Sequence, residues 1–128
     1  AVAPDGTVWG AAWPDGGQVL RFDAKGRATV ALTLADEAEG LAFGPAGSRL
    51  EGLLFVSHAG GEKLTMVDLA SMRTVTIASG GTRGDFLHVG PDGRLYVTQS
   101  NQVLLNIVNN ATQRHLMAFV VQRNSQKR

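Results

Sequence analysis

Apolar and polar residues alternate along this chain in short runs of four to six positions. Val19-Leu20-Arg21-Phe22-Asp23, Leu64-Thr65-Met66-Val67-Asp68 and Val103-Leu104-Leu105-Asn106-Ile107 are typical, and Ala28-Thr29-Val30-Ala31-Leu32 and Thr74-Val75-Thr76-Ile77-Ala78 follow the first two. A period near two, broken by Gly, Asp and Ser, predicts short β-strands joined by tight turns.

The runs recur as a unit. Ala3-Pro4-Asp5-Gly6-Thr7-Val8-Trp9-Gly10, Gly44-Pro45-Ala46-Gly47 leading to Leu54-Phe55-Val56, and Gly90-Pro91-Asp92-Gly93-Arg94-Leu95-Tyr96-Val97 align, with the second carrying a five-residue insertion at about Arg49 to Leu53. Proline presets φ, aspartate caps its own turn and glycine accepts φ > 0, so each motif predicts a hairpin turn. A short run precedes two of the turns, Gly40-Leu41-Ala42-Phe43 and Phe86-Leu87-His88-Val89, and a strand centred on Trp9, Phe55 or Tyr96 follows each. Four strands per unit of about 40 to 45 residues is the signature of a β-propeller blade. The expected architecture is all-β, a propeller fragment of about three four-stranded antiparallel blades at 1–33, 39–79 and 85–122, with a basic tail at 123–128. The third unit's ending is open between a strand at 115–121 and a helix stripe through Leu116, Met117, Val120 and Val121.

Composition narrows the chemistry. With no cysteine, thiol catalysis, Cys-ligated zinc, iron–sulfur clusters and disulfides are excluded. No apolar run approaches a membrane helix and no leader pattern opens the chain, so a soluble protein is expected, with no compartment indicated. The basic residues of the C-terminal quarter, Arg94, Arg114, Arg123, Lys127 and Arg128, are scattered rather than clustered, which argues for solubilising charge over nucleic-acid binding. The 16 glycines find their place at the repeated turns.

The run Glu39-Gly40-Leu41-Ala42-Phe43-Gly44-Pro45 and the stretch from Asp85 through Val97, with weaker support at 3–23, resemble the six-bladed propellers of the gluconolactonase, NHL-repeat and virginiamycin-lyase-like superfamily. Closed propellers hold about 4 to 8 blades, so three leave two apolar blade faces uncovered. The expectation is self-association, most simply a two-fold dimer that closes a six-bladed ring.

Counting five residues back from each aligned Gly-Pro reaches Glu39 in one blade and Asp85 in the next. In gluconolactonase-like relatives, acidic groups there hold a divalent cation, so the resemblance implies Glu39 and Asp85 as oxygen ligands for Ca²⁺ or another hard ion. The plain alternative is loop carboxylates that cap backbone amides. His58, beside Ala59-Gly60-Gly61 in a loop, and His88, aligned with Ala42 and open to a packing role, are the candidate proton carriers. A Ser57–His58 triad is unsupported, because adjacent strand residues point to opposite faces. The glycine-rich Gly80–Asp85 segment lacks a phosphate-loop ending, its Arg83-Gly84-Asp85 tripeptide and the Asn110-Ala111-Thr112 acceptor carry little, and Trp9, Phe55 and Tyr96 are better explained as inter-blade core than as a stacking platform. Two functions remain: a metal-dependent hydrolase of small esters or lactones, and a non-catalytic propeller module in which the carboxylates are structural.

Overall fold

The computed structural model describes residues 1–12, 16–59, 63–79, 86–99 and 102–106, the last segment and residues 98–99 by backbone alone. Ten strands run in chain order: β1 (Val8–Ala11), β2 (Gln18–Phe22), β3 (Ala28–Thr33), β4 (Ala38–Phe43), β5 (Leu53–His58), β6 (Lys63–Asp68), β7 (Arg73–Ser79), β8 (Leu87–Val89), β9 (Leu95–Gln99) and β10 (Gln102–Asn106). They form three antiparallel meanders, β1-β2-β3, β4-β5-β6-β7 and β8-β9-β10. The chain is thus all-β, and the expected order of strands around each turn is present. Asp85, His115 and the ending proposed for the third unit lie outside the described residues.

Local chemistry accounts for the turns. Gly6, Gly47 and Gly93, at equivalent positions of the three Pro-x-Gly motifs, share φ values of 85°, 77° and 75°. Asp5 Oδ1 accepts from Thr7 N at 2.9 Å and Asp92 Oδ1 from Arg94 N at 3.1 Å, the side-chain caps that such turns favour. The amides of Ala3 and Gly90 reach the carbonyls of Thr7 and Arg94, whereas that of Gly44 reaches Leu53, five residues later in register. The insertion is therefore absorbed wholly in the turn.

Packing between sheets supplies the core. One cluster fills the seam between the first two sheets with Trp9 and Val19 against Ala38, Leu54, Val56 and Val67. A second fills the next seam with Leu53, Phe55, Leu64 and Met66 against Val89, Leu95 and Val97. Alternate residues of β5 thus feed opposite seams, and every residue of that strand is buried. Each large aliphatic or aromatic side chain so enclosed contributes roughly 1.5 to 3 kcal/mol. On β4 a register shift between Ala38 and Leu41 changes the parity, so that both face the first sheet although three positions apart.

Burial falls off at the outermost strands, and one face of the first sheet is partly exposed. Val8 and Val30 are 49% and 52% exposed there. Leu20 and Phe22 share that face half-buried, Val30 being the cross-strand partner of Leu20.

Candidate functional site

Strand direction gathers the polar candidates at one end of the middle sheet. Ala38 pairs with His58 and Lys63 with Ser79, so the starts of β4 and β6 and the ends of β5 and β7 lie together. The loop 34–37 from the first sheet enters at the same end. It is held there by backbone bonds from Leu34 N to Gly17 O at 2.8 Å and from Ala38 N to Gly16 O at 3.2 Å. Gly17 is obligatory: a Cβ on it would lie 2.0 Å from the carbonyl oxygen of Leu34.

His58 is the centre of this polar end. The expectation of an available loop histidine does not hold, because His58 closes β5 and is 2% exposed. Its Nδ1 lies 3.2 Å from the Asp36 backbone oxygen and its Nε2 2.7 Å from Thr65 Oγ1. A carbonyl can only accept, so Nδ1 carries the proton and Nε2 accepts from the Thr65 hydroxyl. Burial pushes the imidazole below its ordinary pKa of 6.5, partly opposed by the Asp36 carbonyl. The ring is therefore neutral at pH 7, with both nitrogens engaged.

The neighbours are similarly committed. Lys63 donates to the Asp36 carboxylate, and that hydrogen bond holds Asp36 below the usual carboxylate range. Ala59 N donates to Glu37 O at 3.1 Å. Ser57 Oγ accepts from Gly40 N at 2.9 Å, within the stretch of β4 where the ladder slips. Ser57 and His58 thus serve different partners, as their strand alternation requires.

Glu39 sits half-buried in that same slipped stretch, at the start of the strand expected to line the channel. A divalent cation is the group the resemblance implies, and a carboxylate oxygen is the right donor for it. Among the described residues, no three Asp, Glu or His side chains converge as a ligand set. Glu39 is thus one fitting donor, and its expected companion, Asp85, lies outside the described residues. His88 is exposed on β8, paired with Tyr96 of β9, on the side opposite Leu87 and Val89. The structure therefore brings Glu39 near the His58 end of the middle sheet and leaves His88 exposed on the third.

Sequence reasoning passed over Asp36, Lys63 and Thr65, which complete the polar end. The available signal was the Asp36-Glu37 pair immediately ahead of Glu39. A separate cleft of about 490 Å³, lined by Asp5, Trp9, Arg21, Leu69 and Met72 among others, opens at the opposite strand ends and shares nothing with these residues.

No protein-family model matches the chain, and no curated protein matches it. Solved structures do. The chain is similar to Kuenenia stuttgartiensis hydrazine synthase, with 25% identity and a TM-score of 0.63 over 78% of this chain and 28% of that one. A Thermus thermophilus protein assigned as an oxidoreductase of glucose dehydrogenase type shares 24% identity and a TM-score of 0.60 over 77% of this chain and 35% of that one. A protein assigned as a gluconolactonase shares 22% identity and a TM-score of 0.60 over 84% of this chain and 43% of that one. These likenesses define the fold as a β-propeller fragment. The chain spans less than half the length of each of these three. No helix among the described residues is long and apolar enough to cross a membrane.

Proposed function

We propose that the chain is a self-associating half of a propeller that hydrolyses small esters or lactones at the channel end of its blades. The supporting observation is the position of Glu39, at the start of the innermost strand of a blade, in a fold shared with a protein assigned as a gluconolactonase. In this reading Glu39 and Asp85 hold a hard divalent cation such as Ca²⁺, which when bound would polarise the substrate carbonyl. His88, exposed in the single chain on the side of β8 that it shares with Tyr96, is the remaining candidate proton carrier, provided that ring closure leaves that side accessible. His58 positions rather than reacts. Its bonds to Asp36 O and Thr65 Oγ1 tie the loop ahead of Glu39 to β6, and a ring with both nitrogens occupied has no site left to take a substrate proton.

Hydrolysis of 4-nitrophenyl acetate and δ-valerolactone by the purified chain, with added Ca²⁺ and with chelator, tests this. Turnover that needs the ion and disappears in Glu39→Ala, with the fold intact by circular dichroism, is the expected result. Turnover indifferent to both would overturn the metal-dependent reading.

A second reading, a non-catalytic binding or assembly module, is favoured by one observation. The described contacts of Ser57, His58, Asp36 and Lys63 all brace the backbone or one another. It predicts no turnover under any condition.

A further inference from the structure

The repeat lets one seam be compared with the other, position by position. Cross-strand register pairs Trp9 with Arg21 and Arg21 with Thr29 in the first sheet, and Phe55 with Met66 and Met66 with Val75 in the second. The register also skips one residue at the same step of each following strand, Ala31 in β3 and Ile77 in β7. Met66, Val75 and Ile77 fill the second seam with apolar volume. Their equivalents in the first seam are Arg21, Thr29 and Ala31, and there the cleft of about 490 Å³ opens against Leu69 and Met72. The cleft is the space left where apolar side chains give way to an arginine, a threonine and a small alanine, and its size is that of small-molecule sites. Its walls are two neighbouring sheets and their turns, so it does not rest on an outer sheet face.

Two features of the lining point to a ligand. The Arg21 guanidinium makes no hydrogen bond among the described residues, and its one ion pair is the loose contact with Asp5 Oδ2 at 3.9 Å. Asp5 is occupied elsewhere, since its Oδ1 accepts from Thr7 N at 2.9 Å and from Thr7 Oγ1 at 2.6 Å. The five guanidinium donors are thus uncommitted within the lining. Met72 is the second feature. Its φ of 59° is the left-handed conformation that Gly26 takes, at 79°, in the corresponding turn of the first sheet. L side chains rarely adopt it, and a glycine would relieve the strain. Methionine instead keeps an adaptable apolar side chain on the cleft, in a turn held by the bond from Met72 N to Asp68 O at 2.6 Å.

We propose that this cleft binds a small organic carboxylate, with its head on the Arg21 guanidinium and its apolar body among Trp9, Leu69 and Met72. A guanidinium matches a carboxylate with two parallel donors. The neighbouring Asp5 carboxylate favours a ligand with a single negative charge, because a dianion would be repelled more strongly at the same place. Trp9 donates its indole N–H to Thr7 Oγ1 at 2.9 Å, which leaves the ring for apolar contact. The site lies at the strand ends opposite Glu39 and goes beyond the channel chemistry proposed above.

Calorimetric titration of the purified chain with 4-phenylbutyrate and with its neutral counterpart 4-phenylbutyramide tests this. The carboxylate should bind about tenfold more tightly than the amide, unchanged by Ca²⁺, by chelator or by Glu39→Ala. Arg21→Met and Ala31→Ile supply the side-chain types that Met66 and Ile77 already bury in the second seam, so both variants are expected to fold, as circular dichroism would check. Arg21→Met should remove the preference for the carboxylate, and Ala31→Ile should weaken both probes about tenfold by filling the cleft. Asp5→Asn, which keeps an acceptor for Thr7, should tighten the carboxylate several-fold. No binding of the carboxylate at about 5 mM, or an affinity indifferent to both Arg21→Met and Ala31→Ile, overturns the site. Carboxylate affinity lost with chelator or in Glu39→Ala would put the probe in the channel and overturn it as well.

Discussion

The rings of Trp9 and Phe43 meet edge to face across the first seam, with centroids 5.4 Å apart and planes at 75°. This geometry sets the positive edge of one ring against the negative face of the other, and it joins two sheets that share no ladder hydrogen bonds. Trp9→Ala and Phe55→Ala should each lower stability by roughly 3 to 5 kcal/mol, read from urea unfolding. Tyr96→Ala, at a half-buried position, should cost clearly less at concentrations where the chain is monomeric. Equal costs at all three would show that the third position is enclosed within the single chain.

The neutral His58 ring gives stability an acid limb. Its folded pKa is depressed below the ordinary 6.5, so the unfolded chain binds the extra proton first. The contribution is complete above about pH 6.5 and is lost as pH falls towards the folded value, with a slope of at most about 1.4 kcal/mol per pH unit. Asp5, Asp23, Asp36 and Asp92, all held below 3.8, act in a separate and more acidic window. Thermal melts between pH 7 and 5 should therefore show a decline that His58→Gln removes and His88→Gln, at an exposed position, retains. A decline unchanged in His58→Gln would contradict the buried neutral ring.

Thr65→Val keeps the shape of the Thr65 side chain and removes the hydroxyl that donates to His58 Nε2. The cost should be about 1 to 3 kcal/mol, the range for a buried acceptor left unpaired. Thr76→Val, at the position of β7 directly across from Thr65, removes no bond to the imidazole and serves as the comparison.

Gly17→Ala should destabilise the chain severely, because its methyl would overlap the Leu34 carbonyl that the loop ahead of Glu39 is built on. Gly47→Ala meets nothing within 4 Å and suffers only the strain of φ 77°, so it should cost about 1 kcal/mol. A ranking in the reverse order by chemical denaturation would show that the Gly17 turn relaxes freely.

The turns and strands were legible because their causes are local. Pro4-Asp5-Gly6 and Pro91-Asp92-Gly93 carry the preset φ, the side-chain cap and the left-handed residue within three positions, and both form the expected turn. The five-residue insertion was visible by alignment of the repeats and appears as the displaced Gly44–Leu53 bond. The polar end was less legible. His58 seemed available because Ala59-Gly60-Gly61 follows it, yet its partners Asp36 and Thr65 stand 22 and 7 residues away in the chain. The β4 slip that turns Ala38 and Leu41 to the same side has no sequence mark of its own.

By itself the sequence determined the repeat, the hairpin chemistry and the position of Glu39 at the head of an innermost strand, since these depend on spacing and on the backbone preferences of single residues. Only the tertiary structure decided which side chains each seam buries, that the His58 imidazole is sealed and neutral, and that Val8 and Val30 are about half exposed. Those properties depend on which sheet lies against which, and desolvation is set by neighbours that are remote along the chain.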